Sequence, residues 1–424
     1  MKKQFIHVNL MVLLTIVIGL ASCQKKSTTP TFAKLQPVGT VSGTWTKNSV
    51  VTINKNVVVP QGKSLTIEEG VHVIFSGDSL GTAAAPELQV RGSLYVKGTK
   101  SNPVLFSVPE NKKILANRYK GLWGGIQCAN TSSEVAIDYA TIEYAGAPAG
   151  ANSVFVEQGQ TQGDPRFALL FGNTSGKIAV YHSLIQNVTD DAIRVTGGKM
   201  SMCYNTFAFI GETGGEAMNI KSGVIGDMAF NVVYSSSTNG PKWSNEGGLS
   251  PQTDCNAYNN TMVNCGWRRN KSGRGGSVNI EKGARGKSYN NLIVNCKYGV
   301  RVVGGSSVAD TANFVNDYNW YFGNEKIMVD EFYPSNGILS HSGCPHDVIG
   351  SINANDPMFV GYNVATGKMV DLDLKTLDFH LKTNSPALSG AYTSFSPRVT
   401  SLTIGGKTFT TPKPASYFGA LGVK

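Results

Sequence analysis

Short apolar–polar–apolar triplets recur along this chain at a nearly fixed interval. Leu65-Thr66-Ile67 and Val71-His72-Val73 return 23 residues later as Leu88-Gln89-Val90 and Leu94-Tyr95-Val96. Alternation of this kind buries one face of a strand and leaves the other polar. Gly70 and Gly92 lie between the triplets and supply the turns. In the middle of the chain one position is filled in turn by Ser183-Leu184-Ile185, Asn205-Thr206-Phe207, Asn231-Val232-Val233, Asn260-Thr261-Met262 and Asn291-Leu292-Ile293. A second strand follows in most units: Ile193-Arg194-Val195, Met218-Asn219-Ile220, Val278-Asn279-Ile280 and Val300-Arg301-Val302. The interval grows from 22 to 31 residues, as it would if one turn carried insertions.

A period in the low twenties is one coil of three short strands. The pattern therefore predicts an all-β, right-handed parallel β-helix, a single solenoid domain over residues 38–424 that becomes irregular from about 325. Stacked coils bury a continuous core, so 424 residues need not divide into several globules. Asn opens the repeated strand and returns four residues later at Asn187, Asn264 and Asn295. Stacked amides hydrogen-bond along the axis, and Asn tolerates the left-handed turn conformation.

Composition agrees. Gly is abundant at 48 residues, only 16% of the chain is charged, and no extended helical pattern is present. The net charge of +10 favours polyanions. For an exported chain these are acidic polysaccharides rather than nucleic acid. Beyond Cys23 the six cysteines show no metal-type spacing, and Cys265 and Cys296 occupy equivalent places in successive coils. A stack of buried thiols is expected there, with a disulfide as the alternative.

The N-terminus reads as an export signal over residues 1–22. Lys2 and Lys3 precede an apolar run from Leu10 to Leu20 that is too short for a permanent span. Leu20-Ala21-Ser22-Cys23 resembles the lipobox of bacterial lipoproteins, which implies lipidation of Cys23 and a membrane anchor there. Residues 23–37 then form a flexible Ser/Thr/Pro/Lys tether. The expected location is the outer membrane, with the periplasmic or outer face left open. Without Lys2 and Lys3 the chain carries 36 basic against 28 acidic residues, a net of +8.

Further segments carry a resemblance. Pro103-Val104-Leu105-Phe106, Trp123-Gly124-Gly125-Ile126 and Ile142-Glu143-Tyr144-Ala145 look like the N-terminal region of β-helix proteins of the Bacteroidota. Asp356-Pro357-Met358-Phe359, Asp378-Phe379-His380-Leu381 and Ser385-Pro386-Ala387-Leu388 resemble the end of pectin-lyase-like β-helices. The resemblance implies a fold, which hosts lyases, hydrolases and adhesins alike.

Mid-strand residues of neighbouring coils should stack, so Arg194, Asn219, Asn279 and Arg301 are expected to line one exposed stripe. Beside it in sequence lie Arg268, Arg269, Lys271, Arg274, Lys282, Arg285 and Lys287, with Glu281 the only acid from 268 to 301. Trp267 offers an aromatic platform for a sugar ring. Arg194, Asn219, Asn279, Arg301, Trp267, Arg268 and Arg269 are thus the expected polysaccharide-binding residues. Glu216-Ala217-Met218-Asn219-Ile220-Lys221-Ser222 resembles the Glu-x4-Lys-Ser stretch of lyases related to chondroitinase B. That resemblance implies Glu216 as a calcium ligand and Lys221 as the base of a β-elimination, although the Arg-His-Gly segment of those enzymes is missing. Asp190-Asp191 resembles the paired aspartates of polygalacturonases, without their other motifs. The expectation is a monomeric, anchored glycan-contacting protein without an obligatory cofactor. A polysaccharide lyase is the alternative, and a structural surface protein without a ligand is the second.

Overall fold

The computed structural model describes residues 33–424. The expected signal peptide, the lipidation residue Cys23 and most of the tether lie outside the described residues. Three long sheets run through the described chain, and every strand pairing within them is parallel. Sheet A has 11 strands, from Lys34–Leu35 to Trp320–Phe322. Sheet B has 10, from Gly39–Thr40 to Arg301–Val302, and sheet C has 10, from Gly43–Trp45 to Phe314–Asp317. The chain visits A, B and C in turn and starts the next coil. This is the right-handed parallel β-helix that the triplet pattern predicts, in a single domain. Inward residues such as Ile185, Phe207, Val233, Met262 and Ile293 from sheet A form one continuous core with their counterparts from B and C.

The corner from C to A consists of one residue with a left-handed backbone: Tyr139, His182, Tyr204, Phe230, Asn259, Asn290 and Tyr318 have φ between 48° and 62°. Aromatic rings at this position lean on one another, with Tyr139 and His182 stacked at 4.4 Å and His182 and Tyr204 at 5.3 Å. Immediately after this corner runs the asparagine ladder. Asn205 donates its backbone N–H and its Nδ2 to Asn231 Oδ1, both at 3.0 Å, and Asn231 does the same to Asn260. Asn260 passes to Asn291 and Asn291 to Asn319, where Asp347 Oδ1 accepts the last backbone N–H at 2.7 Å. All five Asn are buried, so each amide satisfies backbone groups that water cannot reach. The second Asn position is also as the repeat predicts: Asn187, Asn264 and Asn295 have φ of 56°, 58° and 52° at the A-to-B corner.

The six cysteines among the described residues form no disulfide. Cys265 and Cys296 are buried thiols on successive coils, and their Sγ atoms donate to the carbonyls of Val263 and Val294.

After Phe322 the chain leaves the coils and folds back along the solenoid. Phe359, Tyr362, Phe379, Leu381 and Phe418 pack on Ala208, Val232, Tyr234, Val263 and Leu292, outward residues of sheet A. A hairpin of Ser401–Ile404 and Lys407–Thr410 lays Leu402, Ile404 and Phe409 on Ala179, Tyr181, Ala229 and Tyr258 of sheet C. Asp227 fastens this hairpin by accepting from the backbone N–H of Arg398 at 3.0 Å and of Val399 at 2.8 Å. The C-terminal segment so covers much of the outward face of two sheets. On sheet B it reaches only the last coil, where Ile338 N–H donates to the Val302 carbonyl.

Candidate functional site

Sheet B presents the remaining outward face. Its mid-strand residues are in direct register: Leu170, Arg194, Asn219, Lys242, Asn279 and Arg301. The four polar residues expected to stack do so. Lys242 completes the row, and the sequence hides it because its strand, Pro241–Ser244, opens on a proline, a residue that argues against a central strand.

The row is not the exposed stripe that alternation predicts. Asn219, Asn279 and Arg301 are 2%, 1% and 7% exposed, and only Arg194 is half-buried. The reason is twofold. The side chains pair with one another, and two loops inserted at the A-to-B corner overhang them. Over the earlier coils, residues 147–166 are fixed by a buried ion pair in which Arg166 Nη1 donates to Glu87 Oε2 at 2.7 Å. Glu87 also accepts from Ser153 Oγ and from the N–H of Val154. On the other coils, residues 266–276 reach across, with Gly273 carbonyl accepting from Arg301 Nη1 and Arg269 Nη1 donating to Thr213 carbonyl at 2.7 Å.

Carboxylates interleave with the row. Asp191 accepts from Arg194 Nε at 2.9 Å, from Asn219 Nδ2 at 2.8 Å and from the Glu216 N–H at 2.8 Å. Lys242 lies between Glu216 at 3.5 Å and Glu281 at 3.2 Å. Asn279 Nδ2 donates to Glu281 at 3.2 Å, and Arg274 meets the same carboxylate at 3.5 Å. Burial pushes the Asp191 carboxyl up, but Arg194 and the donors around it outweigh burial and hold it below the usual range. Asp190 is pushed up by burial and by the charge of Asp191. Glu216 is also raised, because burial exceeds the opposing pull of Lys242. Lys242 itself stays above the usual lysine value, since Glu216 and Glu281 outweigh its desolvation.

Lys221 sits at the B edge and pairs with Glu246 at 2.8 Å. Burial, with Lys242 and Arg194 nearby, lowers its pKa. Glu216 does not fit the calcium role that the lyase resemblance implies. Its carboxylate is met by an ammonium and by the amides of Asn219 and Asn239, and the described residues assemble no cluster of acidic, His or Cys side chains that could hold a metal ion. A cation site needs oxygens converging on a space, whereas Lys242 fills that space with its own charge.

The basic cluster from 268 to 287 does not act as one patch. Arg268 turns away from sheet B, donating to Ser235 carbonyl at 2.7 Å and to the Ile210 and Gly211 carbonyls, with Tyr119 beneath it. Trp267 donates its indole N–H to Asn295 carbonyl at 2.8 Å and carries the Lys368 ammonium over its ring at 5.2 Å, so this platform is already occupied. Arg285 pairs with Asp254 and Lys287 lies over Phe395, both beside sheet C. Arg269 and Arg274 remain at sheet B, and Lys271 is exposed on the loop that carries them. Sequence distance joined these residues; the coil separates them, because each short strand turns the chain to another face.

No protein-family model, curated protein or solved structure matches this chain.

Proposed function

We propose that this chain is an envelope protein, exported and lipid-anchored at Cys23, that contacts an acidic polysaccharide through sheet B without turning it over. The observation that carries this reading is the division of faces. The C-terminal segment covers the outward residues of sheets A and C, while sheet B keeps a row of Arg194, Asn219, Lys242, Asn279 and Arg301. With coils about 4.8 Å apart, the face beneath which these five residues lie is roughly 19 Å long, a length suited to a short run of sugars. Arg274, with Arg194, Lys221 and Arg269 more deeply set, gives its rim partly exposed cations for carboxylate or sulfate groups. The polymer's chemistry, the lipid anchor, the outer-membrane location and the affinity to pectin-lyase-like proteins of the Bacteroidota belong to this proposal.

A second reading, a polysaccharide lyase with Lys221 as base, is favoured by one observation: the lowered pKa of that lysine. It is opposed by the Glu246 pairing and by the misfit of Glu216 to calcium.

One experiment separates them. The chain from residue 33 onward is incubated with acidic polysaccharides, with and without calcium, while retention and the ultraviolet absorbance of unsaturated uronate are followed. Retention without absorbance supports contact without turnover. Rising absorbance that disappears in Lys221→Ala overturns it in favour of the lyase. Neither signal leaves a structural protein.

A further inference from the structure

Buried charges in proteins are ordinarily paired. Arg301 is a buried residue at 7% exposure, and among the described residues its guanidinium donates only to neutral oxygens: Asn279 Oδ1, 2.7 Å from its Nε, and the Gly273 carbonyl. Among the described residues no carboxylate is in ion-pair range of it. Glu281, the acid of the same row, is committed to Lys242, Asn279 and Arg274. The other charged partners in the sheet B row have counter-ions: Arg194 has Asp191, and Lys242 has two glutamates. Arg301 alone in the row is a buried cation without an anion.

Its surroundings are built for one. Arg274 follows Gly273, whose carbonyl accepts from Arg301, and burial first and the Arg274 charge second lower the pKa of Arg301. The Arg274 side chain is 40% exposed and contacts Glu281 at 3.5 Å, a loose pairing that leaves N–H groups available. Asn336 Nδ2 donates to the Gly273 carbonyl at 3.1 Å and so holds the loop against Arg301. Gly337 lies against the Arg301 stem, where an added Cβ would come within 3.3 Å of Cγ. The guanidinium is thus fixed from both sides while Arg301 Nη2 has no hydrogen-bond partner among the described residues.

We propose that Arg301 and Arg274 form a receptor for one anionic group of the ligand, a sugar carboxylate or a sulfate ester. Arg301 Nη2 is free to donate to either group, and Arg274 supplies further N–H donors and the second positive charge. The receptor deepens the polysaccharide reading and rests on it for the identity of the polymer, though not for the anion.

Thermal unfolding of the chain from residue 33 onward tests it, with sodium sulfate and sodium glucuronate as probes. Glucose, and sodium chloride at matched ionic strength, are the controls. The expected result is a saturable rise in Tm with sulfate or glucuronate beyond the chloride control. Arg274→Ala, at an exposed side chain, should weaken the apparent affinity by about fivefold or more. Arg301→Gln should abolish the rise while circular dichroism shows the fold retained. A response to glucuronate alone names a carboxylate, and a response to sulfate names a sulfate ester. No saturable rise, or a rise that survives both substitutions, overturns the receptor. If the rise depends on Arg301 but no acidic polysaccharide is retained, the anion site stands and the polysaccharide reading falls. If polysaccharide is retained equally by wild type and both variants, the anion site falls alone.

Discussion

The Lys242 ammonium lies 3.2 Å from Glu281 Oε1, and both side chains are buried at the centre of sheet B. A pair of this kind adds little over an apolar replacement of both partners, but removing one leaves a charge stranded. Lys242→Met leaves buried Glu281 with only Asn279 and the looser Arg274 contact, and leaves buried Glu216 without its ammonium. It is expected to destabilise by about 3–5 kcal/mol at neutral pH. Urea unfolding measures this, and a double substitution with Glu281→Gln should recover part of the loss. Additive effects of the two changes would contradict the coupling.

The asparagine ladder makes a second prediction. Asn260 Oδ1 accepts two bonds from Asn231, and its own N–H and Nδ2 donate to Asn291. Asn260→Ala leaves the buried N–H of Asn231 without an acceptor, at a cost of about 1–3 kcal/mol for the stranded group. A drop in the denaturant midpoint with unchanged slope would bear this out. A loss smaller than that of a surface Asn→Ala control would show the ladder to be ornamental.

Stability should rise as pH falls from 7 toward 5. Burial pushes the Asp227 carboxyl up to about 6, against the N–H groups of Val399 and Arg398 and the amide of Asn256. Asp347 is raised to about 6 by its own burial. An unfolded aspartate titrates near 3.9, so between these values the folded chain binds more protons than the unfolded one. Acidification through pH 6 therefore favours the fold, by on the order of 3 kcal/mol for such a shift, and the gain is complete below about pH 4. Urea midpoints from pH 7.5 to 5 test the sign. Asp227→Asn should flatten the slope, and a midpoint that falls steadily with acid would contradict the assignment.

Packing of the hairpin gives a fourth. Phe409 is 4% exposed against Tyr181, their rings 5.2 Å apart. Phe409→Ala should lower stability by about 3–5 kcal/mol. Amide exchange should report the loss as faster exchange in Ser401–Ile404 before the coils open. Uniform acceleration through the coils would instead mean that the hairpin and solenoid unfold as one unit.

The coils were legible in the sequence because the triplets and corner asparagines act locally: Leu65-Thr66-Ile67 alternates as any half-buried strand must, and Asn264 suits a left-handed corner. The aromatic corners were not, since Tyr139, Tyr204 and Phe230 are unusual in that conformation and are sustained by neighbours in adjacent coils. Stacking of Arg194, Asn219, Asn279 and Arg301 follows from period alone, but their burial does not. It depends on residues 147–166 and 266–276, whose insertions carry no periodic signal. Lys242 was masked by Pro241. Arg268 and Trp267 looked like binding residues because their chemistry suits a sugar, whereas only the fold shows that Ser235 and Lys368 already engage them.

The most direct measurement of the central claim compares two lysine substitutions of equal charge on different faces. Lys221 lies on the rim of sheet B, and Lys199 is exposed on sheet C. The account predicts that Lys221→Gln weakens the Kd for the retained acidic polysaccharide by about tenfold, and that Lys199→Gln leaves it unchanged. Equal weakening by both would mean that net charge and not the sheet B face holds the polymer, and would contradict the account.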